Sequence, residues 1–227
     1  MELRRQGRRV TWYGEARELP LPAAVACNSA WMDITHSSPP LQGLDSYAFD
    51  YLPKPAIAAR GAMTPCEAWP AKPPRKFIYA ADDMVTHPLV SPIMARSWAG
   101  APPVYMCTGW ELFGFENRFV AKKLVGDGVR VVFEEYEAMP HCFAMVLTAT
   151  PNARRCMTAW SAFVRKAVDD PAAVESSATA IAAKTLDETP LRWDALSDMS
   201  HGELGDRVAR MAREFPQRPV AAAAAKL

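Results

Sequence analysis

The middle of the chain has a strand, helix, strand pattern that limits the fold more than any other feature of the sequence. Apolar residues at 104–108 and 129–136 predict two strands, and residues 116–125 between them have the apolar spacing of a helix. Asp127 and Gly128 end that helix. Because the connections are short, the pattern predicts two parallel strands joined by a right-handed crossover. The chain is therefore predicted to be an α/β protein.

An acidic and a basic residue follow the ends of these two strands. Glu111 comes just after the first strand, and His141 lies in the loop after the second, about thirty residues further along. The carboxyl ends of parallel strands meet at one edge of an open α/β sheet, and ligands gather there. Both side chains are therefore predicted to face that edge. Trp31, Trp98 and Trp110 are expected to flank it, where they either line an apolar pocket or belong to the core.

A nucleophile for this edge is not marked by a motif. None of the eleven glycines belongs to a Gly-x-Ser-x-Gly sequence, which forms the serine elbow of many hydrolases. Cys27 and Ser29, at the end of a predicted strand, are the candidate substitutes, and we interpret both as structural. Cys142 follows His141 directly, and we expect its side chain to point away along the loop and to serve packing.

The amino-terminal half offers fewer regular elements. Residues 1–18 begin with a charged, helix-compatible stretch, and residues 23–30 are small and apolar, as in a buried parallel strand, although a helix also fits. The stretch 33–98 is rich in proline and aromatic residues, which excludes long helices. Short helices are predicted there at 46–51 and 56–63.

Two further helices are predicted in the carboxyl-terminal half. Residues 152–168 have a helical apolar stripe suited to packing on a sheet, and Ser200 with Glu203 forms a capping box at the start of another helix. Between them the chain is polar and alanine-rich, and we predict no strand there. The stripe of the first helix consists of Met157, Trp160, Phe163 and Val164.

Composition excludes several classes of partner and cofactor. A formal net charge of +1 provides no field for nucleic acid. No apolar run is long enough for a membrane span, and no secretory leader is recognisable. The five cysteines include no Cys-x-x-Cys pair, so neither a disulfide framework nor a thiolate metal site is expected. We therefore expect a soluble, intracellular protein.

Two acid and histidine groupings are considered as metal ligands and rejected. Asp33 lies near His36, and the Asp82-Asp83 pair lies near His87. Neither grouping has a third ligand at a recognisable spacing, so loop capping is the preferred interpretation. No metal and no cofactor are expected.

The last three residues resemble a targeting signal. Ala225, Lys226 and Leu227 form a variant of the Ser-Lys-Leu peroxisomal address, with a small residue, a cation and a terminal leucine. A run of alanines precedes them and would present the tripeptide on an exposed tail. The tail predicts binding to the peroxisomal import receptor and a peroxisomal location, with a cytoplasmic location and a chance ending as the alternative.

Four blocks of the sequence occur in the order in which a known family has them. Residues 19–38 (LPLPAAVACNSAWMDITHSS), 87–92 (HPLVSP), 111–116 (ELFGFE) and 141–143 (HCF) are these blocks. They resemble a strand followed by Ser-Pro-Trp-x-Asp-Leu-Thr, the segment before the acid-bearing strand, the Asp-x-Leu-x-Asp-Glu block and His-Gly-Phe. The chain resembles the carboxyl-terminal portion of the hormone-sensitive lipase-like, or fold-3 carboxylesterase, group of α/β-hydrolases, and its fungal members in particular.

The resemblance implies a partial α/β-hydrolase fold with a few parallel strands and flanking helices, and a Ser-His-acid mechanism. His141 would be the general base, and Glu111, where the family more often has aspartate, would hold the imidazole ring in one tautomer. The family's serine elbow and oxyanion loop precede its counterpart of residue 19, and neither occurs here. The strand at 23–30 would then have an open apolar edge, which a partner chain could complete.

Three parts are expected along the chain. These are a helical segment at 1–18, the carboxyl-terminal part of an α/β-hydrolase domain at 19–168, and a helical, alanine-rich tail at 169–227. The resemblance implies hydrolysis of a small-molecule carboxylic ester or thioester, in fungal secondary-metabolite (toxin) or lipid metabolism. The alternative is a catalytically inactive hydrolase remnant that serves as a binding or accessory protein.

Overall fold

A five-stranded sheet forms the centre of the protein. The computed structural model describes residues 9–18, 20–39, 46–54, 63, 65–72 and 74–217. The strands are β1 (Arg9–Trp12), β2 (Glu15–Glu18), β3 (Val25–Asn28), β4 (Val104–Gly109), β5 (Val131–Tyr136), β6 (Ser177–Ile181) and β7 (Glu188–Pro190). The α-helices are α1 (Ser46–Phe49), α2 (Gly114–Gly126), α3 (Phe143–Val146), α4 (Pro151–Asp169) and α5 (His201–Glu214). Short 3-10 turns occupy Asp82–Met84, Pro92–Met94, Pro171–Ala173 and Trp193–Leu196.

The sheet has the order β3-β4-β5-β6-β7, and its first four strands are parallel. Only β7 runs antiparallel to its neighbour, β6. Every residue of β4 is buried, as expected for a central parallel strand that is covered on both faces. This burial explains why the strand is a continuous apolar run in the sequence rather than an alternating one.

Each face of the sheet has its own core. Val104 and Met106 of β4 point toward the core that includes residues of α2 and α5, while Tyr105 and Cys107 point toward the core that includes residues of α4. Successive side chains of a strand alternate between the two faces, so one apolar strand supplies both cores. On the other side of β3, the described residues contain no pairing strand, and Val25 in β3 is 38% exposed.

The structure confirms most of the predicted elements around the site. The strands predicted at 104–108 and 129–136 are β4 and β5, and the crossover helix between them is α2. The strand reading of 23–30 is correct, since β3 pairs in parallel with β4. The predicted helices at 46–51 and 152–168 correspond to α1 and α4, and Ser200 with Glu203 makes the complete capping box of α5. The helix predicted at 56–63 lies almost entirely outside the described residues.

The prediction of a helical segment at 1–18 is wrong for its described part. Residues 9–18 form an antiparallel hairpin of β1 and β2. Tyr13 and Gly14 make its two-residue turn, with φ of 48° and 81°. Positive φ at both central residues is what a type I′ hairpin turn requires. The local turn, together with the β-branched Val10 and Thr11, outweighs the helix-compatible charges before it.

The prediction of a helical tail at 169–227 without strands is also wrong. The structure places β6 and β7 within this stretch, and β6 extends the parallel sheet beside β5. The sequence of β6, Ser-Ala-Thr-Ala-Ile, has little intrinsic strand preference. Its strand conformation depends on pairing with the buried β5, which is a tertiary effect.

The apolar stripe predicted for α4 is only partly correct. Phe163 is buried, but Met157 and Val164 are 44% and 40% exposed. The buried residues of this helix include Ala153, Cys156 and Ala167. Small side chains therefore form most of the contact face, and the larger ones lie at its margins or in solvent.

No helix in the described ranges combines the length and apolarity needed to cross a lipid bilayer.

Candidate active site

The structure brings Glu111 and His141 into direct contact. Nδ1 of His141 lies 2.7 Å from Oε2 of Glu111. The Glu111 side chain is fully buried, while the His141 side chain is 20% exposed. The carboxylate is therefore removed from solvent, and the imidazole ring stands between it and the surface.

The pairing of β4 with β5 positions both residues. Gly109, the last residue of β4, lies opposite Tyr136, the last residue of β5, so the two loops start from the same edge of the sheet. A Cβ atom at Gly109 would lie 1.9 Å from the carbonyl oxygen of Met139. Only glycine allows the loop after β5 to cross the end of β4 this closely. This crossing brings His141 over Glu111.

Hydrogen bonds hold Glu111 in one orientation. The Thr108 hydroxyl donates to Oε1 of Glu111 at 2.7 Å, and the backbone N–H of Gly109 lies 3.4 Å from the same oxygen. These donors leave Oε2 for the imidazole ring. A carboxylate oxygen accepts hydrogen bonds, so the facing Nδ1 carries a proton. In the neutral ring, Nε2 is then left as an acceptor.

Asp50 and Tyr51 fasten the loop that carries His141. Asp50 accepts from the backbone N–H of Leu112 at 2.8 Å and from that of His141 at 3.3 Å, so it joins the two loops of the site. The Tyr51 hydroxyl donates to the carbonyl oxygen of His141 at 2.5 Å. Sequence reasoning missed both residues, because nothing in the spacing of this proline-rich stretch links them to a loop about ninety residues further along.

Cys142 occupies the other side of the imidazole ring. Its Sγ atom lies 3.3 Å from Nε2 of His141, so the expectation that this side chain points away along the loop is wrong. The backbone causes the difference: Cys142 has φ of 52°, in the left-handed region, which turns its Cβ back toward the ring. Burial is the largest cause that raises the pKa of the Cys142 thiol, followed by the charges of Glu111 and Asp50. A hydrogen bond with Ser29 lowers this pKa and opposes them.

Ser29 supports this loop from β3. Its hydroxyl oxygen accepts from the backbone N–H of Cys142 at 2.9 Å, and the residue is only 2% exposed. Ser29 therefore supports the backbone of Cys142, which agrees with the interpretation of this serine as structural. Cys27 contributes to the core beside α2, and burial raises the pKa of its thiol.

Aromatic side chains pack beside the imidazole ring of His141. The ring of Phe113 meets that of His141 edge-on at 5.2 Å, and Trp31 stacks on Phe113 at 5.8 Å. Trp110 contacts Phe49 at 5.5 Å. Of the three predicted tryptophans, Trp31 is therefore linked to the imidazole ring through Phe113, whereas Trp98 and Trp110 pack against the core beside α2.

Comparison with known proteins bears on the fold of the chain. A model of the alpha/beta hydrolase fold family matches residues 67–145, which include Glu111 and His141. An esterase from the bacterial hormone-sensitive lipase family is similar in structure, with 22% identity and a TM-score of 0.54 over 74% of this chain and 47% of that one. A hormone-sensitive lipase homologue from a metagenome library has 20% identity and a TM-score of 0.50 over 66% of this chain and 46% of that one.

The chain has a partial α/β-hydrolase fold. It spans about half the length of these esterases. No curated protein matches it significantly. The likeness to the esterases concerns the fold alone, since the identities are low. A shared fold does not define the reaction, which depends on the residues of the site.

Asp33, one of the residues considered as a metal ligand, forms hydrogen bonds within its own loop. Asp33 accepts from the backbone N–H groups of Thr35 and Ser37 and from both hydroxyls. Burial lowers the pKa of the neighbouring His36, although Asp33 opposes this shift. Within the described residues, no three His, Cys, Asp or Glu side chains are arranged to hold a metal ion.

The first turn of α2 holds the segment after β3. The Glu116 carboxylate accepts from the backbone N–H of Met32, and the Asn117 amide exchanges hydrogen bonds with the backbone of Ala30 at 3.2 and 2.9 Å. Glu116 is 1% exposed. Burial, followed by the charge of Asp33, raises the pKa of Glu116 well above its ordinary value of 4.5.

The raised pKa of Glu116 predicts a pH-dependent effect of substitution. The folded protein favours the protonated form, so stability from this group is present below the ordinary pKa and is lost as the pH rises toward the folded-state value. Glu116→Gln should therefore be increasingly stabilising, relative to the unsubstituted protein, over the interval in which the pH rises above the ordinary carboxyl value toward the raised pKa of Glu116. The gain is at most about 1.4 kcal/mol per pH unit. Urea unfolding at several pH values measures it.

A matched control for this experiment is Glu175→Gln, because Glu175 is exposed. Its effect on the free energy of unfolding should not vary with pH over the same interval. A Glu116→Gln effect that is equally flat would show that the buried carboxyl is not protonated preferentially in the folded state.

The left-handed backbone at Cys142 gives a second prediction. Cys142→Gly should be more stable than Cys142→Ala by about 1 kcal/mol, because alanine keeps the Cβ that makes this backbone region costly. Ala162, exposed within α4, is the control: there, glycine should be less stable than alanine by about 1 kcal/mol. Thermal or urea unfolding measures both. Equal stabilities of the two Cys142 variants would contradict the assigned backbone conformation.

Proposed function

We propose that this chain hydrolyses a carboxylic ester or thioester, with His141 as the general base and Glu111 as the acid that orients it. The observation that carries the proposal is the 2.7 Å contact between His141 Nδ1 and a fully buried carboxylate, at the carboxyl edge of the parallel strands. A neutral ring held in this tautomer presents Nε2 to a nucleophile. Glu111 would then stabilise the imidazolium that forms when Nε2 takes a proton.

The surroundings of the ring suit an acyl substrate. His141 remains partly exposed; its ring contacts the buried ring of Phe113, on which the partly exposed Trp31 stacks. Apolar walls with a few convergent polar groups are typical of small-molecule sites. An uncharged acyl group would bring its carbonyl carbon to the exposed side of the imidazole ring.

Substitution of the acid–base pair tests the proposal. His141→Ala should lower kcat/KM for a p-nitrophenyl ester and for a matched thioester about 100-fold or more, because general-base catalysis contributes that much. Glu111→Gln should also lower kcat, since the ring loses the carboxylate that fixes its tautomer. Steady-state kinetics of the full chain give both values.

The control is His87→Ala, since His87 is exposed on a different loop and its ring nitrogen only accepts from the backbone of Leu89. Turnover by this variant should equal that of the unsubstituted chain. Turnover that is absent from every variant and from the unsubstituted chain, or that survives His141→Ala unchanged, would refute the proposed hydrolase function.

The absence of a Gly-x-Ser-x-Gly sequence favours one alternative. In this alternative the chain is a catalytically inactive hydrolase remnant that binds a ligand or a partner chain. Such a partner would pair with the side of β3 on which the described part of the chain places no strand. A folded protein that binds ester analogues with equal affinity before and after His141→Ala, without turnover, would establish it.

A peroxisomal location is proposed from the terminal tripeptide alone. Ala225, Lys226 and Leu227 lie outside the described residues, and their support is the resemblance of the sequence to the peroxisomal address. The fungal secondary-metabolite or lipid pathway rests only on the family resemblance. Both proposals concern the compartment and the pathway in which the protein acts, and neither concerns the mechanism of ester cleavage.

Deletion of Leu227 tests the location. A fluorescent protein fused ahead of the chain should move from puncta that colocalise with a peroxisomal marker to a diffuse cytosolic signal, because the import receptor requires the terminal residues. Replacement of Leu227 by Met is a conservative control that should keep the puncta. An unchanged distribution after the deletion would refute the targeting role.

A further inference from the structure

We propose that Cys142 is the nucleophile of this site, so that Cys142, His141 and Glu111 together form a catalytic triad within the chain. This inference rests on the proposed hydrolase function. The Cys142 thiol would take the place of the serine hydroxyl, because the sequence contains no Gly-x-Ser-x-Gly elbow.

The three side chains form a continuous row of hydrogen bonds. Glu111 Oε2 lies 2.7 Å from Nδ1 of His141, and Nε2 of the same ring lies 3.3 Å from Sγ of Cys142. Because Nδ1 donates to the carboxylate, Nε2 is the acceptor for the thiol proton. A nucleophile in contact with a base that is oriented by a third group is the arrangement used in covalent acyl transfer.

The loop around Cys142 is built to keep this thiol beside the ring. The left-handed backbone at Cys142 turns the side chain toward Nε2, and Ser29 holds the backbone N–H of the residue from β3. Tyr51 and Asp50 hold the backbone of His141 on the other side. Both Cys142 and His141 retain partial exposure, so a substrate carbonyl can reach the sulfur.

The environment favours a thiol at rest rather than a preformed thiolate. Burial and the nearby carboxylates Glu111 and Asp50 raise the pKa of the Cys142 thiol. A thiol of this kind needs a base at the moment of attack. His141 is in contact with it and supplies that base, as it would for a serine hydroxyl.

The proposed reaction has two steps, which are acylation of Cys142 and hydrolysis of the acyl thioester. In the first, Sγ attacks the acyl carbonyl carbon while its proton passes to Nε2 of His141; the bond to the leaving alcohol or thiol breaks, and that group takes the proton from Nε2. The product is an acyl thioester on Cys142. In the second step, water attacks this thioester, its proton passes to Nε2, and Cys142 leaves with that proton as the free thiol. The net reaction is hydrolysis, with no oxidant or reductant.

An acid-quenched acylation experiment tests the inference. The full chain is mixed with p-nitrophenyl acetate, quenched in acid and digested, and acetylated cysteines are identified by mass spectrometry. The unsubstituted protein should carry a hydroxylamine-sensitive acetyl group on Cys142. His141→Ala should slow its formation about 100-fold or more, because the base is removed. Cys66, which is exposed, is the internal reference for ordinary thiol reactivity.

Two variants complete the experiment. Cys142→Gly removes the thiol at a backbone position that glycine tolerates, so it should fold and should lose both the adduct and turnover. Cys66→Ala should leave both unchanged.

Three results would overturn the inference, and they separate it from the proposed function. Turnover that persists in Cys142→Gly would place the nucleophile elsewhere and leave the hydrolase function intact. Acetylation of Cys142 at the same rate in His141→Ala would show a merely reactive thiol. Neither turnover nor adduct in the unsubstituted, folded protein would refute both proposals.

Discussion

The parallel pairing of β4 with β5 is the interaction on which the rest of the structure depends. It ends both strands at the same edge, with Gly109 opposite Tyr136, and thereby brings together two loops that are about thirty residues apart. The side chains of β4 alternate between the two cores, so the same pairing anchors the helices on both faces. The pairing of two buried strands therefore brings the loops of Glu111 and His141 to one edge, and local contacts then set the positions of the two side chains.

The site itself depends on backbone features that side-chain chemistry alone does not reveal. The loop after β5 crosses Gly109 so closely that any Cβ would collide with the Met139 carbonyl. Three residues later, Cys142 takes a left-handed conformation that glycine would adopt without cost. Backbone strain of this kind persists where the surrounding structure enforces it. Here Ser29, Asp50 and Tyr51 enforce it through hydrogen bonds from two distant segments.

The contact between His141 and Cys142 places a thiol where a hydrolase with a serine elbow would have its hydroxyl group. The sequence predicts a base and an acid but contains no Gly-x-Ser-x-Gly sequence to supply a nucleophile. In the structure, a thiol lies against the free ring nitrogen. Adjacent residues usually point in different directions in an extended loop, so their side chains are not expected to meet. The left-handed turn at Cys142 is what makes the dipeptide compact enough for this contact.

The sequence by itself determined the crossover of β4, α2 and β5, because strands buried on both faces are continuous apolar runs that can be recognised in the sequence. It thereby also determined that Glu111 and His141 follow the same edge of the sheet. It also determined the α5 capping box, which is a local pattern. Only the tertiary structure decided the strand β6, the small-residue contact face of α4, and the roles of Asp50, Tyr51 and Cys142. These features depend on pairing with distant segments or on a single backbone angle, and neither leaves a periodic signal in the sequence.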